Sequence, residues 1–508
     1  MRFFPYKKHS EFLYFLPYLL SIAIVGSSLL RFREDIWDGV IISYAFETKD
    51  VSGLQSWFFS SGWNLQYFLV RLEFVISSLT GLSFHLINIL ISILVILIIL
   101  KEVRWVAAVV FGLPKYWANV ACCVFAVMPV WSVLASSVML IHVTCIALGL
   151  VGSRLLTSES WCKNFLASLF VILSFQLNSM LVFLPTLQLI MGVKFVSFKK
   201  FDFSSLRKFF LSLGLAVAYY FLTQKFNQPE GIYQGYNSLI GPWDKGFWNL
   251  LTDNLLSYSS FILIPILAIV GLKGSFSLNK SDFAIYIKLT TLGVASVIPY
   301  IAVGKTSDLR DYTDWSYRHS LLLSIPIAIL TTTILFHLGN REKGVDRRLI
   351  EKRIIPTCIV IALMSSLLLA SFATKLNRQD FELSLSEELK NNRVNPAPGI
   401  LVFSVSGAPA PIFREYEVNY LLFRTYGRID WWGAINPTDP RNFAFPSSYA
   451  NLPESEIIFA KVPHGCRSTI NVKAIGHEGR WAIVRNFFDI HDLRSIEILS
   501  ISTDCNNE

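Results

Sequence analysis

The chain has 508 residues, of which 53% are hydrophobic and 16% charged, with a formal net charge of +9. A soluble globular chain carries roughly 25% charged residues, so this composition excludes an ordinary soluble domain and points to the bilayer. The positive balance does not indicate nucleic acid, because the basic residues sit in short segments between apolar runs, where the positive-inside rule puts them.

In chain order, apolar runs predict spans near 11–30, 83–100, 117–136, 138–153, 164–177, 179–193, 208–223, 252–272, 283–303, 319–338 and 354–371. The start, Met1–Ser10, is polar and basic, but no small-residue cleavage site follows the first apolar run, so 11–30 reads as a retained span. Segment 63–81 (WNLQYFLVRLEFVISSLTG) is apolar enough to cross, yet it carries Arg71 and Glu73 at its middle. A charge at the bilayer centre costs roughly 2.5–3.5 kcal/mol on insertion scales.

Charge parity decides this segment. If it lies along the surface, Lys101, Arg104, Lys115, Lys199, Lys200, Arg347 and Arg348 all fall on the inner side. If it spans, the densest basic loops fall outside. The segment therefore reads as a surface helix, leaving about eleven spans with the N-terminus inside and the C-terminus outside.

A transmembrane domain over 1–373 is followed by a section of different texture, 374–508. Its β-like runs (Gly399–Val405, Glu456–Val462, Thr469–Ile475, Trp481–Val484 and Ile496–Ile501) predict a small extracytoplasmic domain of α/β or β type. Cys466 and Cys505 are its only cysteines, and in an oxidising compartment they would pair. The other five, such as Cys122 and Cys145, lie in or beside apolar runs as small core residues.

No Gly-rich phosphate loop, metal-type Cys/His spacing or Gly-x-Ser-x-Gly is present, which removes nucleotide-driven pumps. Acids concentrate instead in the expected outer loops. The first, 31–82, carries Glu34, Asp35 and Asp38 directly after span one. Carboxylates held there suit a general base that deprotonates an acceptor hydroxyl. A second cluster runs from Asp308 to Tyr317, Arg318 and His319. Arg318 would sit at headgroup depth, where its donor fork matches a phosphate. A third loop, Gln224–Gly246, offers Tyr233 and Trp243 for sugar stacking. His85, His142 and Gln176–Asn178 read as structural polar groups near the outer ends of spans.

This layout resembles the GT-C superfamily of membrane glycosyltransferases, which includes protein O-mannosyltransferases, aminoarabinose transferases and phage-type O-antigen glucosyltransferases. Members share an acidic pair in the first extracytoplasmic loop, then a juxtamembrane helix. A late span opens with Arg followed by an aromatic residue or His, an apolar run and Pro. Here Glu34-Asp35 matches the pair, Gly62–Gly81 the juxtamembrane helix, and Tyr317-Arg318-His319 through Pro326 the late motif. Two departures stand out. The juxtamembrane helix begins Gly62-Trp63-Asn64 rather than His-Pro-Pro, and Asp38 adds a third carboxylate. The resemblance makes Asp35 or Glu34 the base, and Asp38 as a third carboxylate leaves the choice among the three open.

The resemblance implies an all-α polytopic protein of the bacterial inner membrane with a periplasmic C-terminal domain. It implies inverting transfer from a polyprenyl-phosphate sugar to a hydroxyl of O-antigen or a similar surface glycan. Arg318 would hold the departing phosphate, no general acid is required because the leaving group is already an anion, and no cofactor is implied. Two rivals stand beside this reading. An O-antigen polymerase or ligase would place its key arginines and acids in large mid-chain loops. A non-enzymatic transporter or flippase of lipid-linked saccharide would show mid-span charges and paired halves. The acidic first loop and the scarcity of mid-span charge favour the transferase.

Overall fold

Backbone in lipid must satisfy its own hydrogen bonds, so long apolar runs become helices. The fold was obtained as a computed structural model that describes residues 14–195, 203–226, 228–229, 240–241, 243–253, 280–305, 315–338, 347–407, 413–428, 430–437, 466–475 and 495–505. Its principal helices are α1 (Tyr14–Leu29), α2 (Gly39–Thr48), α3 (Val51–Ser60), α4 (Asn64–Thr80), α5 (Phe84–Val110), α6 (Lys115–Ala126) and α7 (Leu140–Leu155). There follow α8 (Trp161–Ser174), α9 (Met180–Phe195), α10 (Phe203–Phe226), α11 (Lys280–Ile301), α12 (Ser324–Leu338), α13 (Arg347–Asn391) and α14 (Glu415–Tyr426).

The described residues do not support the expected eleven spans. Among the described residues, four stretches are long and apolar enough to cross a bilayer: Phe84–Val110, Ser137–Leu155, Phe283–Ile301 and Ile355–Asn391. A fifth is counted if α6 and the 3₁₀ segment Pro129–Ala135, bent by 47°, form one broken span. That break has a local cause, because Pro129 cannot donate to the turn before it. At five other expected runs the apolar helical stretch covers 10–17 of the described residues, against the roughly 20 a bilayer needs. The run at 252–272 lies outside the described residues.

Helix ends meet at one end of the bundle. There His85 Nε2 lies 3.1 Å from the Phe32 carbonyl oxygen, and the Ser137 amide reaches the loop after α1. Both ends of α4 join this same end, so α4 runs across it rather than between ends. The Leu65 amide donates to Gln176 Oε1 at 2.9 Å and Gln66 donates to the Val138 carbonyl at 2.8 Å. One face of α4 buries Val70, Glu73 and Phe74, while Phe68, Leu72, Val75 and Leu79, spaced four, three and four residues apart, are exposed. An outward apolar stripe on a helix lying flat is the pattern of an interfacial helix.

α13 is a single helix of 45 residues that serves two cores. The bundle core extends along it to Leu376, and a second core begins at Phe381. Phe381, Leu385 and Leu389 pack with Val418, Leu421 and Leu422 of α14 against one face of a sheet. The sheet consists of β1 (Gly399–Gly407), β2 (Trp431–Ile435), β3 (Cys466–Ile475) and β4 (Ser495–Asp504), in the order β2-β1-β3-β4. β1 runs parallel to both neighbours and β3 antiparallel to β4. The C-terminal section is therefore α/β. β2 was not expected from the sequence, and the predicted runs at 456–462 and 481–484 lie outside the described residues.

Cys466 and Cys505 are bonded, across 39 residues of chain. Closing a loop of that size contributes about 4 kcal/mol on the chain-entropy account. Reduction should therefore accelerate amide exchange in β3 and β4 while leaving the bundle helices protected. Unchanged exchange in both strands would remove the disulfide from the stability of the sheet.

Candidate functional site

The turn after α1 carries Glu34, Asp35 and Asp38, and the fold gives each a different surrounding. Asp35 is only 2% exposed. Its Oδ1 accepts from the Ser137 amide at 2.9 Å and from the Ile36 amide at 3.1 Å, pinning the loop to the turn before α7. A Cβ at Gly39 would stand 2.0 Å from that oxygen, so only glycine fits opposite it. Burial pushes the Asp35 carboxyl up, while the neighbouring His85 and the Ser137 and Ile36 hydrogen bonds pull it down. Glu34 points elsewhere and is paired with Arg424 of α14.

Asp38 is the acid that lines a cavity. The cavity has a volume of about 160 Å³ at the helix ends. Trp37, Trp57, Trp63 and Tyr300 provide aromatic walls, and His142, Asn178, Lys305, Arg318 and His319 provide polar ones. Trp37, between Asp35 and Asp38, has φ of 56°, a left-handed conformation that bulky side chains rarely adopt. Such strain is retained only where the surroundings enforce it. Here the Trp37 ring receives the Arg318 guanidinium, 4.7 Å from the ring centroid. Cation and aromatic wall thus hold each other in place.

Electrostatically the cavity is an acid among cations. Burial pushes the Asp38 carboxyl up, and the Tyr416 hydrogen bond with the charges of Arg318, Arg414 and Arg378 pulls it back. Burial, reinforced by Arg318, lowers the Lys305 ammonium to about 8. One carboxylate beside Arg318 and Lys305 leaves the cavity with a net positive charge near neutral pH, suited to an anionic ligand.

Of the residues expected from sequence, the fold brings Asp38, Arg318 and His319 together around this cavity. The His319 ring lies 4.6 Å from the Tyr300 ring, tilted by 32° to it. Tyr317 is fully buried in the bundle core and does not line the cavity. Trp243 is 88% exposed and also lies off it, and Tyr233 is outside the described residues. Lys305 was not anticipated, and His142 and Asn178, read from the sequence as structural polar groups, line the cavity. Each is a single polar residue at a helix end, a position the sequence does reveal but without a motif. The C-terminal domain closes over the loop. Tyr416 donates to Asp38 Oδ1, and Tyr420 donates to Glu47 Oε1 at 2.9 Å. Gln379 of α13 accepts from the Arg33 amide at 2.9 Å and donates to the Glu34 carbonyl at 2.7 Å.

Compared with known proteins, the chain matches no family model and no curated sequence.

Proposed function

We propose that this protein is an inverting glycosyltransferase that moves a sugar from a polyprenyl-phosphate donor to a hydroxyl of a surface glycan. The reaction would take place at the extracytoplasmic face of a bacterial inner membrane. The observation that carries the reading is one cavity, at the helix ends, holding a carboxylate and two cations between tryptophan walls. In this reading Asp38 takes the proton of the acceptor hydroxyl as that oxygen bonds to the anomeric carbon. The bond from that carbon to the phosphate oxygen breaks, and the lipid phosphate leaves with the electron pair toward Arg318 and Lys305. A single displacement inverts the anomeric configuration. Charge-assisted donors at the leaving oxygen lower the barrier in a water-poor site. A cavity at the end of the bundle supports a transferase over a transporter, whose site lies near the bilayer midplane.

The test is transfer by purified full-length protein in detergent, from synthetic polyprenyl-phosphate sugars to a glycan fragment. Wild type should give an inverted product. Arg318→Lys keeps the charge but loses the bidentate fork, so donor KM should rise about tenfold, the equivalent of about 1.4 kcal/mol. Donor KM should also rise with pH above about 8, as Lys305 loses its proton. A donor KM indifferent to both changes would remove the phosphate clamp from the reading.

A further inference from the structure

One face of α14 is dedicated to the first loop. Tyr416, Tyr420, Phe423 and Arg424 recur at helical spacing. They meet Asp38, Glu47, Tyr44 and Glu34 respectively, the Tyr44–Phe423 rings edge to face at 4.9 Å. The opposite face, through Val418, Leu421 and Leu422, packs on the sheet. The helix is held to the rest of its domain by Arg378 of α13, which pairs with Glu417. Tyr416 therefore reaches Asp38 from a rigid support.

We propose that Tyr416, carried by the C-terminal domain, is a positioning residue for Asp38 in glycosyl transfer. The inference rests on Asp38 being the base. The phenol donates to Oδ1, which fixes the carboxylate plane and commits one oxygen, leaving the second for the acceptor proton. A hydrogen bond to the charged form of a carboxylate also favours that form. Burial and the adjacent Asp38 carboxylate hold the Tyr416 phenol well above its ordinary range, so it stays a donor at any working pH. The other charged and titratable groups facing Asp38 are Arg414, which precedes α14, Arg378 of α13, Arg318 and Glu417 of α14. Lys305, His142 and His319 share its cavity. All of these groups are retained in the position-416 variants, so opposite shifts of the pH profile in two such variants report on the Tyr416–Asp38 contact.

The experiment compares full-length wild type, Tyr416→Phe, and protein carrying difluorotyrosine at position 416, by kcat and donor KM across pH. Tyr416→Phe removes a hydrogen bond to a charged group, so kcat should fall about tenfold at neutral pH with donor KM within about twofold. Its acidic limb should move to higher pH, because the carboxylate form loses support. Difluorotyrosine, a stronger donor of nearly the same size, should move that limb to lower pH. Opposite shifts in the two proteins support the inference. An acidic limb that stays put in both, or a loss uniform across pH, overturns it while leaving the transferase reading intact. If Tyr416→Phe does not fold, the sign of the difluorotyrosine shift decides alone. A folded wild type that transfers no sugar overturns the transferase reading and this inference together.

Discussion

Asp38→Asn will leave the protein folded and able to bind donor, yet slow transfer by about 10²–10⁴-fold, the usual contribution of a general base. The amide keeps the shape and can still accept the Tyr416 hydrogen bond, so what is lost is proton affinity. Asp35→Ala is expected to fail in a different way. It removes the acceptor from two buried amides, those of Ser137 and Ile36. Each such orphaned group costs about 1–3 kcal/mol, so the yield of folded protein should drop while the folded fraction keeps its turnover per molecule. Folded yield by size-exclusion and turnover per folded molecule separate the two. Wild-type turnover in Asp38→Asn would end the assignment of the base.

Arg378→Ala is expected to be the most damaging change outside the cavity. Arg378 pairs with Glu417, which is 1% exposed, and its Nε lies 3.9 Å from Glu382 Oε1. Its guanidinium also stands 4.6 Å over the Phe413 ring. Removing one member of a buried pair leaves an uncompensated charge and costs about 3–5 kcal/mol. The pH dependence of the loss identifies its cause. Burial already pushes the Glu417 carboxyl up, with Arg378 the main opposing influence. Without Arg378 the folded state keeps a proton that the unfolded chain releases, so stability falls as pH rises above the unfolded carboxylate range. Thermal melts of the variant should therefore recover in mildly acid buffer. A deficit independent of pH would point to lost packing on Phe413 instead.

The apolar runs marked where helices lie, because an uncharged run in lipid has no other way to satisfy its backbone. They did not mark helix length. Pro129 breaks one expected span, and α13 continues far beyond its apolar stretch on residues that are good helix formers in water. Phe381, Leu385 and Leu389, four apart, were the visible sign of that continuation. β2, the pentapeptide WWGAI, escaped notice because a short buried parallel strand lacks alternation. In the site, Asp38 and Arg318 were legible as charged residues at a membrane-end loop and at the mouth of a late apolar run. Which acid lines the cavity was not. That depends on Ser137, 102 residues away, capturing Asp35, and on Arg424 capturing Glu34.

The unbroken α13 has a mechanical corollary. A helix advances about 100° and 1.5 Å per residue, so the two cores it serves are locked in angular phase as well as in distance. Only Asn377–Asp380 separates the last residue of the bundle core, Leu376, from the first of the second core, Phe381. One residue inserted there would turn the whole C-terminal domain by more than a quarter of a revolution. α14 would then swing off the first loop, although every side chain in both cores was unchanged. This junction is a keyed shaft, in which a change of length acts even where no side chain is altered.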